Sequence, residues 1–304
     1  MRLNGRRTSG NIVDRRGSSG GGGLGGFNFG GGGGRGFKIG GIGGIAGFLI
    51  VAVIIWLTGG NPLDVIQGNG LQNFNIVNQQ GDYTPTAHEE ELAHFASQIL
   101  AGTEDVWTEK FREMGRTYVP PKMVFFTGAI NSACGGATSA VGPFYCSADQ
   151  TIYIDLSFFD QMEREMHAGG DFAFAYVIAH EVGHHVQYLL GTLGEAHSAM
   201  ARTSETQANQ ISVRTELQAD YYAGVWAHGD NEMFGSLEEG DIEEGLNAAS
   251  KIGDDYLQKQ ARGYAQPETF NHGTSAQRVR WLRKGASTGS LAGGDTFSQP
   301  YSSL

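Results

Sequence analysis

Between Ile39 and Leu63 the chain carries no charged residue, and Ile45–Leu57 (IAGFLIVAVIIWL) is almost unbroken apolar sequence. An α-helix needs about 20 such residues to cross a bilayer, and Ile39–Thr58 supplies them. A helix that is apolar on every face, flanked by glycine, has little soluble protein to hide in. Trp56, near one end, suits a membrane interface. A cleaved signal peptide fits less well, because the leading region is long and Thr58-Gly59-Gly60 lacks a small-x-small cleavage pattern. The expectation is one retained transmembrane signal-anchor helix over residues 39–58.

Composition divides at the same place. Of 48 glycines, 22 stand at or before Gly60. Residues 1–38 offer too little apolar surface to offset the entropy of ordering that much glycine, so a Gly-rich disordered segment is expected there. The glycine runs are not a phosphate loop, since no G-x-x-x-x-G-K-[ST] occurs. Before residue 59 stand Arg2, Arg6, Arg7, Arg15, Arg16, Arg35 and Lys38 against one acid, Asp14. The formal charge is therefore +6 up to that point and −17 after it. Such an acidic remainder argues against nucleic acid as a partner. By the positive-inside rule the N-terminus is expected in the cytoplasm and residues 59–304 outside it, on a single-pass inner-membrane protein. Cys134 and Cys146 would then lie where disulfides persist, and their spacing suits a small closed loop.

Residues 59–88 are polar and turn-rich and read as a linker. A domain is expected over 89–286, with 287–304 as a flexible tail. Apolar residues recur at helical spacing over Glu89–Met114, and Pro120-Pro121 ends that run. Met123–Phe126 and Thr151–Leu156 read as strands. Asp171 is positioned to cap the helix FAFAYVIAHEVGHHVQYLLG, which Gly191 ends. Long helical runs follow over about Glu195–His228 and Leu237–Arg262. The expected class is α+β and helix-dominated.

Chemistry concentrates at His180-Glu181-Val182-Gly183-His184, an H-E-x-x-H run inside that helix. Residues four apart stack on one helical face, so both imidazoles can reach one metal ion. Zinc favours this nitrogen set, and a catalytic zinc site keeps three protein ligands and an open position. Glu181 is turned about 100° from His180, the placement of a general base. Thr215-Glu216-Leu217-Gln218-Ala219-Asp220 offers the third ligand. Glu216 and Asp220 share a face, so one can bind metal while the other supports a ligand histidine. Glu205 and His185 are weaker candidates. His272, in the polar run NHGTSAQR, is read as an oxyanion donor, or as a helix cap or loop bridge; Tyr221 and Tyr222 are rival donors.

HEVGHH with a downstream E-x-x-x-D resembles zinc peptidases whose third ligand is glutamate, and more closely the bacterial putative neutral zinc metallopeptidase family. Further matching pieces are Ala133-Cys134-Gly135-Gly136-Ala137, Gly142-Pro143-Phe144-Tyr145-Cys146, Ile152-Tyr153-Ile154-Asp155 and His272-Gly273-Thr274-Ser275-Ala276-Gln277-Arg278, together with the N-terminal anchor. Ser147 and Ala148 depart from the pattern, where a proline is expected before Asp149; this touches a loop. The resemblance covers roughly Glu89–Arg283 and implies a zincin-like fold and peptidase activity.

The expected function is that of a membrane-anchored zinc endopeptidase acting on a protein or peptide. His180, His184 and Glu216 would hold Zn²⁺, with Asp220 in support and Glu181 as base. Two other readings stand beside it: a non-catalytic zinc-binding envelope scaffold, and a zinc hydrolase acting on a non-peptide amide. An intact Glu181 counts against the scaffold, which has no use for a base. Substrate and oligomeric state are not legible.

Overall fold

The computed structural model describes residues 1–18, 83–139 and 142–304. The 39–58 helix, most of the 59–88 linker and residues 19–38 therefore lie outside the described residues. Among those described, no helix is long and apolar enough to cross a membrane.

The chain forms a helix-dominated α+β fold around a small sheet. Strand β1 (Ile12–Asp14) comes first. Helix α1 (Ala87–Glu113) follows, opened by a capping box in which Thr86 and Glu89 satisfy each other's backbone N–H. Next come β2 (Lys122–Phe126), the β3–β4 hairpin (Ala129–Ser132 and Gly135–Thr138), β5 (Phe144–Cys146) and β6 (Thr151–Asp155). The main sheet runs β1-β2-β6-β5. Its first three strands are parallel, and β5 closes the opposite edge antiparallel to β6. Cys134, in the hairpin turn, is joined to Cys146 at the end of β5.

Helices α2 (Ser157–Arg164), α3 (Asp171–Leu190), α4 (Thr192–Met200) and α5 (Glu205–Phe234) come next. After them stand α6 (Asp241–Lys251), α7 (Asp254–Arg262) and α8 (Ser275–Thr288). The main core, including Trp107, Phe172, Tyr176, Trp226 and Trp281, joins the sheet to α1, α2, α3, α5, α6 and α8, and a smaller cluster of Val124, Phe126, Cys146 and Tyr153 lies on the sheet.

Several expectations are corrected. The segment expected to be disordered is ordered from Met1 to Ser18, where β1 pairs with β2 and Leu3 packs on the core. Asp171 does not cap α3; Gly170 stands at the cap, and the Phe172 N–H is met by Glu244 at 3.2 Å. The expected Glu195–His228 helix is interrupted between Met200 and Glu205, where Ser204 caps a new helix. The Leu237–Arg262 run is likewise two helices, broken at Gly253, which lies against the Ser275 backbone. Residues 287–304 are docked as well. Thr296 and Leu304 are buried, and the Gly294 carbonyl accepts from Gln218 at 2.8 Å.

Helices α5 and α8 pack backbone to backbone. A Cβ on Gly285 would collide with the Tyr221 carbonyl oxygen, and one on Gly224 with that of Leu282. These are backbone atoms, which cannot rotate aside. Gly285→Ala is expected to cost about 1–3 kcal/mol and to lower the thermal midpoint by roughly 2–12 °C in a melting experiment.

Candidate metal and catalytic site

The site forms where α3 meets α5, and a missing side chain sets their separation. Gly183 faces Ala219, where a Cβ would lie 3.0 Å from the carbonyl oxygen and 3.1 Å from Cα. That approach brings Glu216 of α5 against both histidines of α3. Glu216 Oε2 is 3.2 Å from His180 Nε2, and Oε1 is 3.6 Å from His184 Nε2. The donor atoms of His180, His184 and Glu216 all lie within 4.8 Å of one another, the spacing of ligands around one ion.

Both rings are aimed from behind. His180 Nδ1 donates to Asp220 Oδ1 at 2.9 Å. His184 Nδ1 donates to Gln187 Oε1 at 2.9 Å, and the Gln187 amide is itself tied to the Thr215 carbonyl at 2.7 Å. Each ring therefore turns its Nε2 lone pair toward the common centre. Asp220 is in turn held by Tyr176 Oη at 2.6 Å and by Arg278 of α8 through Nε at 2.8 Å and Nη2 at 2.9 Å.

The charges match this wiring. Burial alone would raise Asp220, yet Arg278 and His180 outweigh it and hold the carboxyl at about 2. Burial likewise opposes the charged form of His180, but Asp220 and Glu216 lift it to about 9. Glu216 stays well below the usual carboxylate range despite burial, because His184 and His180 face it. Because the neutral ring is the ligand form, a metal ion that took His180 Nε2 would compete with a proton there, the normal coupling of metal affinity to pH.

Glu181 differs from its neighbours. Burial dominates and raises its pKa, partly offset by the histidines and by the backbone N–H of Tyr145 on β5. A carboxylate moved toward neutrality beside a ligand set is suited to proton transfer. His272 is also buried, in the loop between α7 and α8. Asp254, the first residue of α7, accepts from the backbone N–H of Asn271, His272 and Gly273 at 2.8, 2.7 and 3.0 Å, and from His272 Nδ1 at 3.1 Å. Burial opposes its protonation, but Asp254 and then Glu216 raise the His272 pKa.

The remaining candidates fall elsewhere. His185 bonds Tyr145 Oη and the Val119 carbonyl, and burial lowers it to about 4. Tyr221 Oη reaches the Ser290 carbonyl, Tyr222 packs on Trp107, and Glu205 is exposed at the start of α5. Sequence reasoning missed Asp254, Gln187 and Tyr176, and quoted Arg278 without giving it a role. Helical spacing marks two of these, since Tyr176 lies four positions before His180 and Gln187 three after His184.

This arrangement accords with what the chain is similar to. The family model of the putative neutral zinc metallopeptidases matches residues 1–297. The chain belongs to that family. It is 46% identical over 300 residues to the uncharacterized protein YpfJ of Escherichia coli (strain K12), covering 98% of this chain and 99% of that one. It is 44% identical over 191 residues to the uncharacterized protein Mb2605 of Mycobacterium bovis, covering 60% of this chain and 64% of that one. No solved structure matches it. The family description points to zinc, and the two imidazoles and one carboxylate are donors that zinc accepts.

Removing Glu216 or its support separates ligand from scaffold. Glu216→Ala is expected to lose most zinc affinity, and Asp220→Ala to weaken it about 10–100-fold. Competition against a metallochromic chelator reads both, and the reverse ranking would make Asp220 the ligand.

Proposed function

We propose that the protein is a zinc-dependent endopeptidase of zincin-like build, with the metal held by His180, His184 and Glu216. The observation that carries this reading is Glu181: a buried carboxyl with a raised pKa, next to a three-donor set on the adjoining helical face. Zinc bound by such a set polarises a carbonyl and makes water acidic enough to give up a proton near neutral pH. Glu181 is suited to accept that proton at its carboxylate and to return it to the leaving amine nitrogen. The ring of His272 is held by Asp254, which also raises its pKa, and when protonated it is suited to donate a hydrogen bond to the oxygen that gains charge.

Peptide is favoured over a non-peptide amide by the strand beside the site. β5 ends the sheet order, and the backbone N–H of its middle residue, Tyr145, favours the charged form of Glu181. An extended chain laid along such an edge gains main-chain hydrogen bonds, which a compact non-peptide amide cannot match. The Cys134–Cys146 bridge pins the hairpin to this strand and supports an oxidising, extracytoplasmic working compartment. The apolar run Ile39–Thr58 supports attachment to a membrane.

Glu181→Gln keeps the size of the side chain and removes its proton acceptance. Zinc content should be unchanged while cleavage of casein or a peptide library falls by about 10² or more. Normal cleavage by this variant, or full cleavage in the presence of a chelator, refutes the mechanism. Asp254→Asn and His272→Phe should each lower kcat by about 10–10³-fold with zinc retained, as expected for loss of an oxyanion donor. If only KM changes in steady-state kinetics, His272 binds substrate and does not stabilise charge.

A further inference from the structure

Residues 1–18 are bound into the peptidase domain by polar groups that have little reason to be buried otherwise. Asp230 of α5 is 1% exposed, and Arg6 grips both its oxygens at 2.7 and 3.2 Å. Room for that pair comes from Gly102 of α1, where a Cβ would lie 2.6 Å from Asp230 Oδ1 and 2.8 Å from Arg6 Nη2. Glu104, also buried, accepts from Ser9 Oγ, from Asn11 Nδ2 at 2.8 Å and from Arg7 Nη1 at 2.9 Å. Gln98 donates to the carbonyls of Leu3 and Arg6 at 3.0 and 3.2 Å. β1 then adds to the sheet edge at β2. With the strap docked, loss of the Arg6 side chain alone would leave the Asp230 carboxylate buried without its partner, and an unpaired buried charge is strongly destabilising.

The strap ends where the rest of the domain begins. Gly17 lies against Tyr83, and Arg16 reaches the Glu89 carbonyl at 3.2 Å and Glu90 Oε1 at 2.8 Å. The described residues on either side of 19–82 thus stand together at one place on the domain. A segment whose two ends share a side crosses a membrane an even number of times, and the apolar run Ile39–Thr58 is long enough for one crossing.

We propose that residues 1–18 are an integral strap of the folded domain in the full chain, so that strap and domain occupy the same side of any membrane the chain meets. The orientation expected from the Lys and Arg count puts them on opposite sides, and it cannot coexist with a docked strap in one molecule. That count included Arg2, Arg6, Arg7 and Arg16, which the fold pairs with Glu238, Asp230, Glu104 and Glu90. Arginines committed to carboxylates of their own domain are poor markers of the cytoplasmic side.

Two measurements on the full-length chain test this, and neither depends on zinc or peptidase activity. Thr8→Cys in the strap and Ser287→Cys in the domain, both exposed positions, are made separately and treated with an impermeant maleimide. Right-side-out spheroplasts are compared with inverted membrane vesicles, and the parent chain sets the background from Cys134 and Cys146. Both positions should react in the same preparation and be protected in the other; reaction from opposite sides overturns the proposal. The second measurement is a double-mutant cycle on membrane-bound protein, read as resistance to added protease. Asp230→Ala should shift the unfolding equilibrium by about 10²-fold or more, and adding Arg6→Ala to it should change little. Strictly additive effects would mean that the strap is not docked, and would overturn the proposal even if both reporters share a side.

Discussion

The carboxylate of Asp220 is the point on which the site rests. It is fully buried at the junction of three helices and takes hydrogen bonds from His180 and Tyr176 of α3 and from Arg278 of α8. A buried anion is tolerable only when its lone pairs are met and its charge is balanced, and here one arginine supplies the balance. The same contacts fix which nitrogen of His180 faces Glu216 and the candidate metal position. Helix packing and ligand geometry are therefore one problem in this protein, solved by one side chain. Around it, glycine at 183, 224 and 285 lets the three helices come within reach of those hydrogen bonds.

The core of the site was legible because helical periodicity alone carries it. H-E-x-x-H and E-x-x-x-D each place their residues on one face, and the stretch between His184 and Glu216 is long enough for a turn and an antiparallel return. Gly191 and Gly235 end their helices in the left-handed conformation that favours glycine. The role of Asp254 had no such signal. Its partners lie well along the chain in an irregular loop, and no local pattern announces a carboxylate that collects three backbone N–H groups. Gly253 hid the break before it in the same way, since one glycine in a helical run is ordinary and only the Ser275 backbone makes it a terminus.

The two ends of the chain were misread for a shared reason. Averaged over positions 1–38, glycine dominates; yet the stretch from Met1 to Ser18, MRLNGRRTSGNIVDRRGS, holds only Gly5, Gly10 and Gly17. Its ordering draws on Glu104 and Asp230, carboxylates so distant in sequence that composition cannot register them. Residues 287–304 are polar and short, but Arg214 and Arg280 reach their carbonyls and Leu304 enters the core. In both cases long-range polar capture offsets the entropy of ordering a segment with little apolar surface.

Gly183 leaves the candidate ligand set of His180, His184 and Glu216 with slack in only one direction. Since even a Cβ there would lie 3.0 Å from the Ala219 carbonyl oxygen, α3 and α5 have little room to be drawn nearer to make up for a shorter ligand. An aspartate in place of Glu216 would fall a methylene short, whatever its charge or hydrogen bonding. A bulkier residue at 183 would widen the gap, and only a longer reach from the opposite helix would restore it. The reach of Glu216 and the absence of a side chain at 183 form one dimension of the protein, so a lineage that altered either would have to alter both.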